Sequence, residues 1–426
     1  MWPGRRRSEN SPRQMGRDGA KRRGGADQEI DFFEPTIRRF AAALLYQGGQ
    51  FALLLAIAFL LLAAFVQAPE PGRVIAVGDV HGNLDGLVAI LQKTSLIDHG
   101  RRWSGGSATL VQTGDLLDRG PQSRAVLDLM IALQKEAPRR NGRVLVSLGN
   151  HEVMSMMSDL RYVVPEDYAA FADGRSEQRR KTAFQNYSKQ QAERGRSVNE
   201  AAWMQAHAPG SIERQEAFGP QGAYGRWLRD LPAVNTVDAS IFLHGGISPE
   251  LSAWTVGKIN ASVRAELQAF DKYKQYMVDN KIAFPFFTFD ELVSTAKAEV
   301  DTLKSKQKPG DETPEDIRML EEFLRLGSWL SVNENGPLWF RGYSVWPDEE
   351  GEANLARLTQ AFKVKRIVAG HTPQPNGEIR RRFGGMVYLI DTGMLSSYYP
   401  GGKAAALEIS GDRIRAIYLD TQTELK

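Results

Sequence analysis

Five short apolar runs, each closing on a glycine paired with Asp, Asn or His, constrain this chain more than any other feature. They are Arg73–Asp79 (RVIAVGD), Thr109–Asp115 (TLVQTGD), Arg143–Asn150 (RVLVSLGN), Ser240–Gly245 (SIFLHG) and Arg366–His371 (RIVAGH). Short runs that are β-branched and nearly continuous in apolar residues are the pattern of strands buried on both faces. Helical segments are expected between the first three, at Leu84–Lys93 and Gln122–Lys135, and that alternation builds a layered α/β fold. Open α/β sheets put their sites beyond the carboxyl ends of the strands, where loops converge. The five polar endings can therefore meet. Three C-terminal runs, Met386–Asp391, Ala404–Ile409 and Arg413–Leu419, are separated by glycine-rich turns and are expected to close a second sheet as antiparallel strands.

Each ending belongs to a short block: GDVHG (78–82), GDLLDRG (114–120), GNHE (149–152), HGG (244–246) and GHT (370–372), with GPLWFRG (336–342) between the last two. The chain has six histidines, and four of them, His81, His151, His244 and His371, fall inside the blocks. Asp79 and His81 alternate along an extended segment, so they can converge with neighbouring loops on one ion. Asp115, Asn150, His244 and His371 arrive from four further strands, and such mixed carboxylate, amide and imidazole ligation suits Mn, Fe or Zn dications. A closed structural zinc site wants thiolates, and the chain contains no cysteine.

Two divalent cations roughly 3.5–4 Å apart clamp the attacking and leaving oxygens of an in-line displacement and lower the pKa of a bridging water. Asp115 is the natural bridge between them. A leaving alkoxide or phenoxide also needs a proton, and His151, beside Asn150, is the expected donor, with Asp118 holding its tautomer. Arg119 and Arg341 can grip phosphate oxygens in forked geometry, and Arg226 or Arg229, in GRWLRD, are further candidates. His99 and His207 match no block and read as surface histidines. Trp339 reads as a packing residue.

A length of 426 residues leaves room for one large catalytic domain with insertions, and 42% hydrophobic with 25% charged residues is an ordinary globular balance. Two long segments without strand signal interrupt the blocks, at 152–222 and 251–335, the second containing the helical pattern Ile317–Leu326. Both are expected to be helical caps over the site. The net charge is +3, but residues 1–40 hold ten Lys/Arg against six acids, leaving the rest of the chain near neutral. A near-neutral body lacks the basic face that nucleic-acid binding requires.

The basic stretch precedes an uncharged, leucine-rich run, Phe51–Val66, and residues 41–68 are expected to be a membrane anchor or a signal segment. An uncleaved anchor is the expectation, with cleavage after Val66-Gln67-Ala68 the open alternative. Residues 1–40 would then be a disordered cytoplasmic tail, and the catalytic domain, 73–426, would be membrane-anchored or exported, working in the periplasm.

The order GDxHG, GDxxDRG, GNHE, HGG, GHT resembles the phosphoprotein phosphatase branch of the calcineurin-like metallophosphoesterases. GPLWFRG and GHTPQ are similar to its bacterial-type members, the Shewanella-like protein phosphatases. The resemblance spans roughly Arg73–Leu419 and implies a layered α-β-β-α sandwich with helical cap insertions. It also implies that Asp79, His81 and Asp115 bind one metal and that Asp115, Asn150, His244 and His371 bind a second. Arg119, Asn150 and Arg341 would hold the phosphate, and His151 with Asp118 would donate the proton. The eukaryotic members carry a tyrosine-bearing C-terminal loop, for which Ile390–Met394 (IDTGM) is the corresponding stretch here. Asp391 in that stretch would either support the site by hydrogen bonding or serve as a strand-end turn residue. The implied activity is a phosphomonoesterase acting on phosphorylated protein side chains, phosphotyrosine favoured among them. A nucleotide phosphatase or dinucleoside polyphosphate hydrolase shares the same blocks and stands as the alternative. A non-catalytic binding module would have lost ligands that are all present here.

Overall fold

Every residue of Val74–Val77 is buried, a condition that only a strand covered on both faces meets. The computed structural model describes residues 72–308 and 312–426. The expected tail (1–40) and apolar segment (41–68) lie outside them. Among the described residues no helix is long and apolar enough to cross a membrane.

The strands are β1 (Val74–Val77), β2 (Thr109–Gln112), β3 (Arg143–Val146), β4 (Val234–Val237), β5 (Ser240–Leu243), β6 (Arg366–Ala369), β7 (Arg380–Arg382), β8 (Val387–Leu389), β9 (Ala405–Ser410), β10 (Arg413–Tyr418) and β11 (Gln422–Glu424). They form a six-stranded sheet ordered β11-β10-β9-β1-β2-β3 and a five-stranded sheet ordered β4-β5-β6-β8-β7. All five expected apolar runs are strands, and β1, β2 and β3 pair in parallel, as do β5 and β6.

Alternation along the strands builds the layers. Val74, Ala76 and Val111 of the first sheet join Phe242, Val368 and Tyr388 of the second in one cluster, so the sheets pack face to face. The intervening residues, Ile75, Val77 and Leu110, face the other way and pack with Leu87, Leu91, Leu127 and Met130 of the helices. Those helices, Leu84–Lys93 and Ser123–Glu136, match the expected segments. Asn83 starts the first by accepting from the Gly86 N–H at 2.9 Å. Each large side chain buried this way contributes roughly 1.5–3 kcal/mol.

The C-terminal expectation is corrected in part. Val387–Leu389 belongs to the second sheet, paired with β6, but β9 and β10 extend the first sheet beside β1. Periodicity identified three strands without identifying their partners, because an apolar alternating strand satisfies either sheet. The described parts of the inserts are mainly helical: Pro165–Ala169, Ser176–Glu193, Glu200–Ala206 and Ser211–Phe218 in the first, with Ala223–Asp230 just beyond it, and Val256–Asp279, Phe289–Ser305 and Glu315–Leu324 in the second.

Candidate metal centre

The blocks are turns that swing side chains off the ends of β1, β2, β3, β5 and β6, and their backbone is strained to do so. Among the described residues, His81, Asp115, Asp118, Arg119 and His371 all have positive φ, between 48° and 69°, a region costly for any residue with a Cβ and found where surrounding structure enforces it. Two glycines are required by close approach. A Cβ on Gly149 would overlap the Asp115 carboxylate, and one on Gly370 would overlap that of Asp79.

These turns bring Asp79, His81, Asp115, Asp118, Asn150, His151, His244 and His371 to one buried cluster centred on Asp115, with Arg119 and Arg341 at its edge. Its Oδ2 lies 3.3 Å from His244 Nε2, 3.6 Å from His81 Nε2 and 3.8 Å from His151 Nε2. Two sets of donor atoms, His81–Asp115–His151 and Asp115–His244–His371, are each contained within 4.8 Å, and Asp115 belongs to both. Asp79 Oδ2 is 3.9 Å from His81 Nε2, and its Oδ1 accepts from the His371 backbone N–H at 3.0 Å.

The donor set fits divalent cations by a count of protons. His81 Nδ1 faces Leu117 O at 3.1 Å, His244 Nδ1 faces Thr113 O at 3.1 Å, and His371 Nε2 faces Trp339 O at 3.1 Å. A carbonyl only accepts, so these nitrogens carry the ring protons and the opposite nitrogens present lone pairs. His371 Nδ1 then sits 3.0 Å from His244 Nε2, with Asn150 Oδ1 2.8 Å away on the other side. Together with Asp115 Oδ2, these acceptors converge with no proton between them. A cation is what satisfies them.

Charge gives the same reading. Burial, then the neighbouring Asp391 and Asp115 carboxylates, push Asp79 well above the usual carboxylate range. Asp115 is buried too, but His244, His151 and His81 around it hold it well below that range. Burial depresses His81 and His371, which keeps their rings neutral and able to ligate.

His151 is differently placed. Its Nδ1 bonds Asp118 Oδ2 at 2.9 Å, while Nε2 is buried without a hydrogen-bond partner. Burial lowers its pKa, but Asp115 and Asp118 outweigh that and raise it. Arg119 Nη1 donates to His81 Nε2 at 2.6 Å, and Arg341 Nη1 to His371 O and Thr372 Oγ1, both at 3.0 Å. The two guanidinium groups thus flank the cluster.

Several expectations are corrected. Arg229 is tied to Asp271 and to the Phe218 and Gly225 carbonyls, and Arg226 to Gln221 O, so neither reaches the centre. His207 is a buried residue stacked on Trp203 at 4.0 Å, whereas His99 is exposed as expected. Asp391 combines both of its readings: Oδ1 accepts from Gly393 N–H at 2.9 Å, a strand-end turn, and the carboxyl faces Asp79, with burial raising its pKa to about 6. Trp339 is half-buried, its indole bonded to Ser331 O, and its carbonyl orients His371.

Sequence reasoning missed other participants. Glu152 accepts from Asp115 and Leu116 N–H at 2.8 Å and from Gly149 N–H at 2.7 Å, joining two blocks; burial, with Asp115 adding to it, raises its pKa to about 7. A glutamate three residues past a helix start was its signal. Arg214 is fully buried and donates to Asp118 Oδ1 at 3.1 Å, Asp167 Oδ2 at 3.0 Å and Ser155 Oγ at 3.1 Å. No local pattern announces it. Tyr399 bonds Arg119 from just beyond Ile390–Met394, and the Tyr162, Tyr398 and Tyr399 rings surround that guanidinium at 5.2, 5.1 and 5.5 Å. A tyrosine therefore reaches the site after all, displaced along the chain from the stretch where it was sought.

Comparison with known proteins agrees with this architecture. The family model for calcineurin-like phosphoesterases matches residues 72–375. Shewanella-like protein phosphatase 1 of Plasmodium berghei is 24% identical, over 83% of this chain and 76% of its own. Shewanella-like protein phosphatase 2 of Arabidopsis thaliana is 33% identical, over 47% of this chain and 53% of its own. Among solved structures, a cold-active protein-tyrosine phosphatase from a psychrophilic Shewanella aligns with a TM-score of 0.53 at 25% identity, covering 84% of this chain and 81% of that one. The chain belongs to the calcineurin-like phosphoesterase family, as a metal-dependent hydrolase of phosphate esters.

Proposed function

We propose that this chain is a binuclear-metal phosphomonoesterase acting on phosphorylated protein side chains. The observation that carries the reading is the convergence of proton-free acceptors on Asp115, which belongs to both donor sets. Asp79, His81 and Asp115 would hold one ion, and Asp115, Asn150, His244 and His371 the other. Bound there, Mn, Fe or Zn dications supply Lewis acidity and make hydroxide available near neutral pH.

The chain's own residues do the rest. Arg119, Asn150 and Arg341 hold phosphate oxygens and orient the phosphorus for in-line attack. Water's oxygen bonds to phosphorus, the ester P–O bond breaks, and the leaving oxygen takes a proton from His151 Nε2. Asp118, fixed by Arg214, keeps the ring aimed and stabilises its charged form. The tyrosines around Arg119 support an aromatic ester, phosphotyrosine, within the phosphoprotein class, since an aryl group can stack where they stand. The basic residues ahead of 41–68 support a periplasmic catalytic domain, which protease accessibility in cells with a permeabilised outer membrane tests.

The deciding assay incubates the metal-loaded chain with phosphotyrosine and phosphoserine peptides and, separately, with nucleotides and dinucleoside polyphosphates. Phosphate release from peptides, faster from phosphotyrosine, is expected. Release from nucleotides alone would sink the phosphoprotein reading.

A further inference from the structure

Four large hydrophobic side chains are exposed among the described residues, and two of them, Tyr162 at 36% and Tyr398 at 49%, stand at Arg119. Folding alone gives no reason for this. A ring left in water forgoes the burial that stabilises one packed inside, and apolar surface gathered beside a polar centre marks a place that a ligand covers. Among the described residues neither phenol hydroxyl has a hydrogen-bond partner. The three tyrosines around Arg119 therefore divide. Tyr399 is half-buried and accepts a hydrogen bond from the guanidinium, so it holds the arginine. Tyr162 and Tyr398 meet the same group only through their rings, 5.2 and 5.1 Å away, and remain open to solvent.

Tyr162 has the more telling position. Its ring centroid lies 5.0 Å from that of His151, so it flanks both the group that grips phosphate and the group that protonates the leaving oxygen. Its backbone is fixed as well: Tyr162 O accepts from the Arg119 N–H at 2.9 Å, which ties its loop to the GDLLDRG turn. A phosphate held by Arg119 with its leaving oxygen turned to His151 puts the leaving group beside this ring. In phosphotyrosine an aryl ring starts one bond from that oxygen, and aromatic rings attract at centroid separations of about 4.5–7 Å. Phosphoserine offers only a methylene there and has nothing to stack. Tyr398 comes from a different segment, its ring edge-on to that of Tyr399 at 4.9 Å, and adds a second exposed ring at the same guanidinium.

We propose that Tyr162, with Tyr398 beside it, selects an aryl ester by stacking on the ring of phosphotyrosine while Arg119 holds its phosphate. The inference rests on the phosphoprotein reading above and deepens it by assigning the preference to two side chains. Its test compares phosphotyrosine and phosphoserine peptides of one flanking sequence, with the full metal-loaded chain and with Tyr162→Ala, Tyr162→Phe and Tyr398→Ala. Taking the ratio of kcat/KM for the two peptides within each protein cancels any general loss at Arg119. That ratio should fall about tenfold in Tyr162→Ala and about threefold in Tyr398→Ala, through KM for the phosphotyrosine peptide. It should hold in Tyr162→Phe, which keeps the ring and deletes only the unbonded hydroxyl. Should Tyr162→Ala fail to fold, Tyr162→Leu, apolar but without a ring, takes its place with the same direction expected. An unchanged ratio at Tyr162, whether both rates fall together or neither does, would overturn the inference and leave the phosphoprotein reading standing; in Tyr398→Ala alone it would strike Tyr398 from the pair. A fall in Tyr162→Phe as large as in Tyr162→Ala would overturn stacking as the cause. Phosphate release by the natural chain from nucleotides alone would sink the phosphoprotein reading itself.

Discussion

The strand-end cluster and the helical segment beside it reach the same centre by opposite means. At the strand ends, lone pairs from Asp115, Asn150, His244 and His371 converge without a proton to share, on backbone held at positive φ at Asp115 and His371. In the helical segment, Arg214 and Asp167 meet as opposite charges, both fully buried, and their bonds extend to Asp118. The cluster is electrostatically incomplete until a cation arrives; the helical support is nearly complete already. A polar group that is buried and unsatisfied is a place for a ligand, whereas one that is buried and paired holds another group still.

That contrast breaks first at Asp115. Asp115→Asn removes the charge shared by both donor sets, and metal content and activity should both fall to background. Elemental analysis showing full metal in an inactive protein would mean that the ions are held without it. His151→Asn should separate the two regions more finely, because it leaves the acceptors in place. Metal is expected to stay, while kcat drops roughly 10² to 10⁴-fold, less for p-nitrophenyl phosphate, whose leaving group needs little protonation. Equal losses for good and poor leaving groups would count against proton donation.

Arg214→Met tests the helical side. It leaves Asp118 and Asp167 buried without their cation, so unfolding should become easier by about 3–5 kcal/mol, with kcat lowered about tenfold through a loosened His151. Its signature is coupling: in the background of Asp118→Asn, the kcat penalty should shrink. Additive losses would show that Arg214 supports folding only. The smallest effect is expected at Tyr399→Phe, which deletes one hydroxyl from Arg119. KM for phosphopeptides should rise about fivefold with kcat nearly constant, the size of one hydrogen bond of about 1 kcal/mol.

The same contrast explains what was legible. Strand-end residues are announced by their own blocks, since a ligand, its glycine and its strand are neighbours in sequence. That is how Asp79, His81, Asp115 and His371 could be assigned before any coordinates. Glu152 was half-legible, as an acid at a helix start, but that it binds the Asp115 turn depends on β2 and β3 being adjacent. Arg214 and Asp118 are 96 positions apart, and nothing near either residue hints at the other. His207 differs for the same reason: a histidine at the end of a short helix looks exposed until Trp203 and Phe286 close around it. Arg226 and Arg229 erred in the other direction, being basic residues with plausible spacing whose helix turns them to Gln221 and Asp271.

By itself, the sequence determined the layered α/β class, the positions of the buried strands along the chain and the identity of the residues that gather beyond them. Those depend on nearly continuous apolar runs, on glycines at tight turns and on residue types with metal chemistry, all of which are local. Only the tertiary structure decided that β9 and β10 extend the first sheet, that Arg214 secures Asp118 and that Tyr399 covers Arg119. The physical reason is that a side chain's burial and its hydrogen-bond partner belong to the packed molecule, where residues far apart in the chain compete for the same space and the same protons.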